Sequence, residues 1–169
     1  PDGPAGGAAG AAVTMGSFRL GRIAGIDILV HWSWFAIFAL LTWWLSEGFF
    51  KDVYEDWSAA ERWGSAVAAA LLFFGSVLLH ELSHSLVAKR LGLPVQSITL
   101  FIFGGVSALG AEPANAKQEF QVAIVGPLTS VVLATVFGVL VAVAWASDAQ
   151  DTPLGAIAEY LAFINLAVG

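Results

Sequence analysis

The chain has 169 residues, of which 58% are hydrophobic and only 12% are charged, which is the composition of a membrane protein and not of a soluble domain. The formal net charge of −6 leaves no basic face for a phosphate backbone, and this excludes nucleic acid as a partner. Cysteine is absent from the sequence. A disulfide, a thiolate nucleophile and a cysteine-ligated metal are therefore excluded, and any metal site must use His, Asp or Glu.

A leader and a series of apolar segments follow one another along the chain. Residues 1–14, rich in Gly, Ala and Pro, are predicted to be a disordered leader or a cloning remnant, and residues 15–169 a single transmembrane domain. The apolar segments run from about Ile28 to Leu45, Ala66 to Ala88, Phe120 to Ala146, and from near Pro153 onward. Each of the first three can cross a hydrocarbon core of roughly 30 Å at about 1.5 Å per helical residue. We expect an all-α, multi-pass membrane protein with about four transmembrane helices.

The distribution of positive charge predicts the orientation of these helices. Two Lys or Arg residues lie between the first and second segments, and five precede the first or lie between the second and third: Lys51 and Arg62 against Arg19, Arg22, Lys89, Arg90 and Lys117. Because Lys and Arg accumulate on the cytoplasmic side of membrane proteins, the N-terminus and residues 89–118 are expected there.

The stretch "VQSITLFIFGGVSAL" after the second segment is predicted to be a small β-hairpin. Its residues are mostly β-branched or aromatic, and Gly104-Gly105 at its centre suggests a strand that turns back on itself. The stretch is too apolar for an ordinary cytoplasmic loop. We therefore expect a membrane-associated hairpin between the second and third helices, with its backbone groups paired inside the protein.

The third segment carries a small residue at every fourth position. Such a stripe is typical of a helix face that packs closely on another helix. The residues are Gly126, Ser130, Ala134, Gly138, Ala142 and Ala146.

The second segment contains "HELSH", with His80 and His84 four residues apart and Glu81 beside the first. Residues four apart share one face of a helix, so both imidazoles can reach one point. Two imidazoles, a third protein ligand and a water form the usual catalytic zinc site, in which a glutamate takes the water's proton as it attacks a carbonyl. Ionisable groups are costly inside a membrane and normally functional there. The motif therefore predicts zinc binding by the histidines and catalysis by Glu81.

Three motifs in this order resemble the site-2 protease family of intramembrane zinc metalloproteases: "HELSH" in an apolar helix, "FIFGGVSAL" after it, and "EFQVAIVGPLTS" at the start of the next helix. The resemblance covers about residues 16–169. It implies a Zn²⁺ endopeptidase that cuts transmembrane segments of membrane-anchored proteins, such as anti-sigma factors or membrane-bound transcription regulators. It also implies a bacterial plasma membrane location and a substrate-facing strand that includes Ile102, Gly104 and Gly105.

The family's third zinc ligand is an aspartate in a Leu-Asp-Gly motif, and the 169 residues do not contain this motif. By resemblance, the aspartate is expected beyond Gly169, and residues 1–169 alone are expected to be inactive. Glu159, Asn165 and His31 are open local alternatives as ligands or neighbours of the site. From the residues alone, a zinc-binding membrane protein or transporter without hydrolytic activity is the alternative function.

Overall fold

The computed structural model describes residues 16–111 and 113–169, and the predicted leader lies outside the described residues. Its helices are α1 (Ser33–Trp44), α2 (Ala59–Arg90), α3 (Ala116–Ala146) and α4 (Pro153–Val168), and α1 continues through a π-helical stretch, Leu45–Phe50, into a short turn, Lys51–Val53. The strands are β1 (Ser17–Ile23), β2 (Ile26–His31), β3 (Val95–Phe101) and β4 (Gly104–Leu109). Most of the described chain is therefore helical, with one small sheet.

Three of the described helical segments are long and apolar enough to cross a membrane: Ser33–Val53, Ala59–Arg90 and Ala116–Ala146. The helix Pro153–Val168 is apolar but has only 16 residues, fewer than the roughly 20 that a bilayer core requires. The multi-pass membrane character that we expected is thus supported by helix length and composition, and the fourth span stays a prediction.

The sequence sets the ends of the long helices. Ser58 caps α2, because its side chain accepts from the amide of Glu61 while the Glu61 carboxylate accepts from the amide of Ser58. Lys89 and Arg90 occupy the last turn of α2, and Gly92 follows with a positive φ of 83°. Asn115 caps α3 by accepting from the amide of Gln118 at 3.0 Å.

The four strands form one sheet in the order β1-β2-β3-β4. The pairs β1–β2 and β3–β4 are antiparallel, whereas β2 and β3 are parallel and are connected through α1 and α2. Alternate residues of β2 are buried, and Ile26 and Ile28 pack with Leu82 of α2 and Ile98 of β3. The sheet therefore lies against the half of α2 that contains the HELSH motif.

The first predicted helix begins later than expected, because residues 28–31 belong to β2 and not to α1. The predicted hairpin is β3 and β4, but it is half of a four-stranded sheet whose other two strands the sequence analysis missed. The segment "IDILVH" is apolar and runs directly into an apolar helix, so hydrophobicity alone did not separate strand from helix.

A second core lies at the opposite end of the bundle, where α1 ends and α2 and α4 begin. Its buried side chains are Leu45, Phe50, Tyr54, Trp57, Ala66, Ala69, Ala156, Ile157, Tyr160 and Leu161. The indole of Trp57 donates to the Asp151 carbonyl at 3.0 Å. This bond joins the loop before α2 to the loop before α4.

Candidate metal centre

Helix α2 brings the two predicted ligands together on one face. The rings of His80 and His84 have centroids 4.8 Å apart and an interplanar angle of 69°. Both residues and Glu81 are half-buried in the described chain. The spacing of four residues therefore places both imidazoles on one face of α2.

The tautomer of His84 is fixed by a backbone acceptor on α3. Nδ1 of His84 lies 2.6 Å from the carbonyl oxygen of Val122, and a carbonyl can only accept, so Nδ1 carries the proton. Nε2 of His84 is then left with a free lone pair. Metal-ligating histidines are oriented in this way by a partner on the other ring nitrogen.

His80 is oriented by a residue about two turns beyond Val122 on α3. Its Nδ1 lies 2.8 Å from the Ser130 hydroxyl, and Ser130 is 1% exposed. A hydroxyl can accept from Nδ1–H, which leaves the Nε2 lone pair of His80 free as well.

Gly126 of α3 faces both free nitrogens. A Cβ at this position would lie 2.5 Å from Nε2 of His80 and would collide with Nε2 of His84. The two Nε2 atoms therefore converge on one small space above the backbone of α3, which only glycine leaves open. Two neutral imidazoles aimed at one point fit a zinc ion.

The donor set within the described residues is incomplete. No cluster of three or more His, Cys, Asp or Glu side chains that could hold a metal occurs among them. The two histidines therefore fit part of a zinc site, and a third ligand is still required.

Glu81 points toward β4. Its Cγ would lie 2.5 Å from a Cβ at Gly105, so only glycine fits beside it. The Ser107 hydroxyl donates to Oε2 of Glu81 at 3.3 Å, and Ser107 in turn lies 3.0 Å from the hydroxyl of fully buried Ser85. Residues 105 and 107 share a strand face, so β4 holds the carboxylate from one side.

The other predicted substrate-facing residues lie at the hairpin turn. Gly104 has a φ of 118°, and a Cβ on it would meet no atom within 4 Å. Ile102 is in the turn between the strands, and its amide donates to the Ser33 hydroxyl at 3.2 Å. The space beside the backbone is thus open at Gly104, whereas at Gly105 the side chain of Glu81 fills it.

The three residues considered as alternative ligands or neighbours of the site lie at different places in the bundle. Buried Asn165 donates to the Ser76 hydroxyl and shares a small cavity with His80 and Ser130. His31 ends β2, and its Nδ1 lies 2.8 Å from the Ser33 hydroxyl. Glu159 lies at the opposite end of the bundle, where it interacts with Tyr54. Of the three, only Asn165 lies beside a predicted ligand.

Sequence reasoning missed the residues that orient the motif. Ser130 and Gly126 were noticed only as members of the small-residue stripe, and nothing in the sequence marked the Val122 carbonyl or the Ser107 hydroxyl. The stripe of small residues could have indicated where α3 approaches the histidines. Its first two members are the buried residues of α3, and both contact the histidines.

Comparisons with known proteins place the chain in one family. A family model described as peptidase family M50 matches residues 68–169. Rip3 of Mycobacterium tuberculosis, named as a zinc metalloprotease, is 39% identical over 150 residues, which cover 89% of this chain and 38% of Rip3. A Synechocystis protein named in the same way is 40% identical over 156 residues, which cover 90% of this chain and 41% of that protein. The chain thus spans about two fifths of these relatives.

One solved structure has a similar fold. The site-2 protease from Methanocaldococcus jannaschii aligns over 88% of this chain and 62% of that one, with a TM-score of 0.55 and 24% identity. The helices and the small sheet of this chain therefore share the fold of that protein.

The glycine beneath the two imidazoles gives a direct test of the metal centre. Gly126→Ala should lower bound zinc at least about 10-fold, which is within the effect expected for disturbing the surroundings of metal ligands, because the methyl group occupies the space between the Nε2 atoms. Alanine has a higher helix propensity than glycine, so the substitution should not destabilise α3 itself. Zinc is measured by inductively coupled plasma mass spectrometry on purified protein.

Gly138→Ala is the matched control, because it makes the same change on α3 at a position where a Cβ meets no atom within 4 Å. It should keep its zinc. Equal zinc content in both variants would contradict convergence of the histidines on this point.

Proposed function

Because this chain belongs to peptidase family M50, as its resemblance to the site-2 proteases predicted, we propose that it forms the zinc-binding part of an intramembrane endopeptidase that cuts transmembrane segments of other proteins. The observation that carries the proposal is the convergence of His80 and His84 on the space above Gly126, with Glu81 beside them. The names of the relatives support the choice of zinc.

His80 and His84 hold the ion through Nε2, since their Nδ1 atoms are engaged by Ser130 and Val122. Zinc, when bound, supplies a Lewis acid that polarises a peptide carbonyl. Glu81 accepts a proton from the attacking water and passes it to the leaving amine. Ser107 and Gly105 restrict the carboxylate to one side of the helix, so the base is held in position before substrate arrives.

We place the third ligand, an aspartate by resemblance to the family, C-terminal to Gly169. The end of α4 supports this placement. A Cβ on Gly169 would lie 3.1 Å from the Cβ of Ser130, which is the partner of His80. The C-terminal end of α4 therefore lies beside the residue that orients His80.

A substrate helix must be unwound before its carbonyls can react, and strand addition would replace its lost hydrogen bonds. Strand β3 has no free edge for an added strand, because it is paired with β2 and β4 on its two sides. In the described sheet, β4 is an edge strand, and it is also the strand that touches Glu81. We therefore assign substrate addition to the open edge of β4, with Gly104 leaving room at its start.

The membrane setting follows from the same proposal. We propose that the three helices long and apolar enough to span a bilayer do so, and the charge distribution favours a cytoplasmic location for the N-terminus and the hairpin. The resemblance to the family favours a bacterial plasma membrane. Substrates are membrane-anchored proteins, for which anti-sigma factors and membrane-bound transcription regulators are the candidates.

The role of Glu81 is tested by Glu81→Gln in the full-length protein. The amide cannot accept a proton, so cleavage of a transmembrane substrate should fall at least about 100-fold while zinc content stays at the wild-type level. His80→Ala should lose both bound zinc and substrate cleavage. Ser83→Ala, which changes a neighbouring side chain that only donates to the His80 carbonyl, should keep both. Loss of zinc from Glu81→Gln equal to that from His80→Ala would make Glu81 a ligand instead of a base.

The third ligand is tested by comparing residues 1–169 with the full-length protein. The short chain offers two imidazoles, so its zinc affinity should be weaker by more than about 100-fold, beyond the loss caused by an outer-shell change. Competition with a chelator of known affinity measures the zinc affinities of both proteins. Equal affinities, together with loss of zinc from the short chain on Asn165→Ala, would show a local third ligand.

The strand proposal is tested by disulfide cross-linking, because these 169 residues contain no cysteine. Val106 is on β4 and 43% exposed, and Val139 of α3 is 57% exposed. In a Glu81→Gln background that retains substrate, Val106→Cys should cross-link to cysteines near the cleavage site of the substrate, and Val139→Cys should not. Gel shift measures the adducts. Equal yields of cross-linked adduct at the two positions would show that the substrate does not bind along β4.

A further inference from the structure

A second cavity lies at the end of the bundle away from the histidines. It lies between the end of α1 and the middle of α4, and its volume of about 320 Å³ is within the size range of small-ligand sites. Its lining consists of four aromatic residues and one carboxylate: Trp44, Phe49, Tyr160, Phe163 and Glu159.

The aromatic rings form a wall beside the carboxylate. The Phe49 ring lies 6.4 Å from that of Trp44, nearly parallel to it, and 6.2 Å from that of Tyr160. Trp44 is 50% exposed and Phe163 is 69% exposed. The cavity is therefore open along the side of the bundle.

Glu159 is the charged residue of this cavity, about 9 Å along α4 from Pro153 at 1.5 Å per residue. No Lys, Arg or His in the described ranges forms an ion pair with it. Its neighbour is the phenol of Tyr54, whose pKa is raised to about 12 by burial and by the nearby Glu159 and Asp151 carboxylates. Glu159 is itself exposed, so its carboxylate is accessible to a cationic ligand as well as to the Tyr54 phenol.

A carboxylate beside aromatic faces is the chemistry that binds an ammonium group. The negative faces of the rings attract a cation within about 6 Å of their centroids, and the attraction grows as water is excluded. The carboxylate adds an ion pair and accepts the N–H bonds of a primary ammonium.

We propose that this cavity is a binding site for a phospholipid with a primary ammonium headgroup, as in phosphatidylethanolamine. The lateral opening favours a lipid, and so does the face of α4 that continues from Glu159. Phe163 and Leu166 follow at four and seven residues on that face and are 69% and 64% exposed, so an acyl chain can run along them. Exposed tryptophans at the same end, Trp43 and Trp145, are typical of the headgroup level of a bilayer.

The site does not depend on the proposed protease activity, and its test uses lipids alone. The purified protein is placed in nanodiscs that contain equal amounts of phosphatidylethanolamine and phosphatidylglycerol with the same acyl chains. The protein is then released from the nanodiscs in the mass spectrometer, and native mass spectrometry counts the lipid molecules that remain bound to it. The wild-type protein should retain phosphatidylethanolamine preferentially. Glu159→Gln keeps the aromatic wall and removes only the ion pair, so it should reduce the ratio of phosphatidylethanolamine to phosphatidylglycerol at least about fivefold, the scale of losing a hydrogen bond to a charged group.

Glu47→Gln is the matched control, because it removes a carboxylate at the same end of the bundle that is already paired with Lys51 at 3.1 Å. It should leave the lipid ratio unchanged. Trp44→Leu keeps apolar bulk but removes an aromatic face, so it should lower the ratio while the carboxylate remains. An unchanged far-UV circular dichroism spectrum in each variant shows that the bundle is folded.

Equal retention of the two lipids by the wild-type protein would overturn the proposal, as would an unchanged ratio in Glu159→Gln. A synthetic transmembrane peptide with a lysine near one end serves as the competing ligand. If it binds in a Glu159-dependent way while phosphatidylethanolamine shows no preference, the cavity is a docking site for a protein helix and the lipid assignment is wrong.

Discussion

The hydrogen bond from His84 Nδ1 to the Val122 carbonyl is the constraint on which the rest of the site depends. It joins α2 to α3 at the depth of the motif, and it uses the one ring nitrogen that must be protonated if Nε2 is to bind a metal. A backbone carbonyl can play this part only if the two helices approach closely. That approach is possible because Gly126, one helical turn further along α3, has no side chain to fill the space between the imidazoles.

The same close approach explains how two polar rings are tolerated between apolar helices. An unpaired imidazole in a membrane bundle would lose its hydrogen bonds with water and gain nothing in return. Here Ser130 and the Val122 carbonyl satisfy the Nδ1 atoms, so a single acceptor lone pair remains on each ring. Both remaining lone pairs therefore face the same space above Gly126, and converging lone pairs are what a metal cation requires.

The sequence predicted the parts of this arrangement that are local and periodic. Residues 80, 81 and 84 were identified because helical spacing and side-chain chemistry agree at those positions, and three long helices followed from hydropathy. The sheet was only half predicted. Strand β2 adjoins α1 without a polar break, and its pairing with β3 crosses two intervening helices, so no short stretch of sequence reports it. The partners of the histidines were also out of reach, since a backbone carbonyl 38 residues away carries no sequence signal.

The hairpin turn determines which residues of β4 meet Glu81. Gly104 closes the turn with a φ of 118°, a conformation that glycine adopts freely and other residues rarely do, and it pairs with Phe101. This pairing sets the register, so Gly105 and Ser107 face α2 while Val106 faces away. A shift of one residue would bring the branched side chain of Val106 against the carboxylate in place of the serine hydroxyl. The position of the proposed base is thus controlled by a turn that makes no contact with it, because strand alternation transmits the geometry of Gly104 to the face of β4 that touches Glu81.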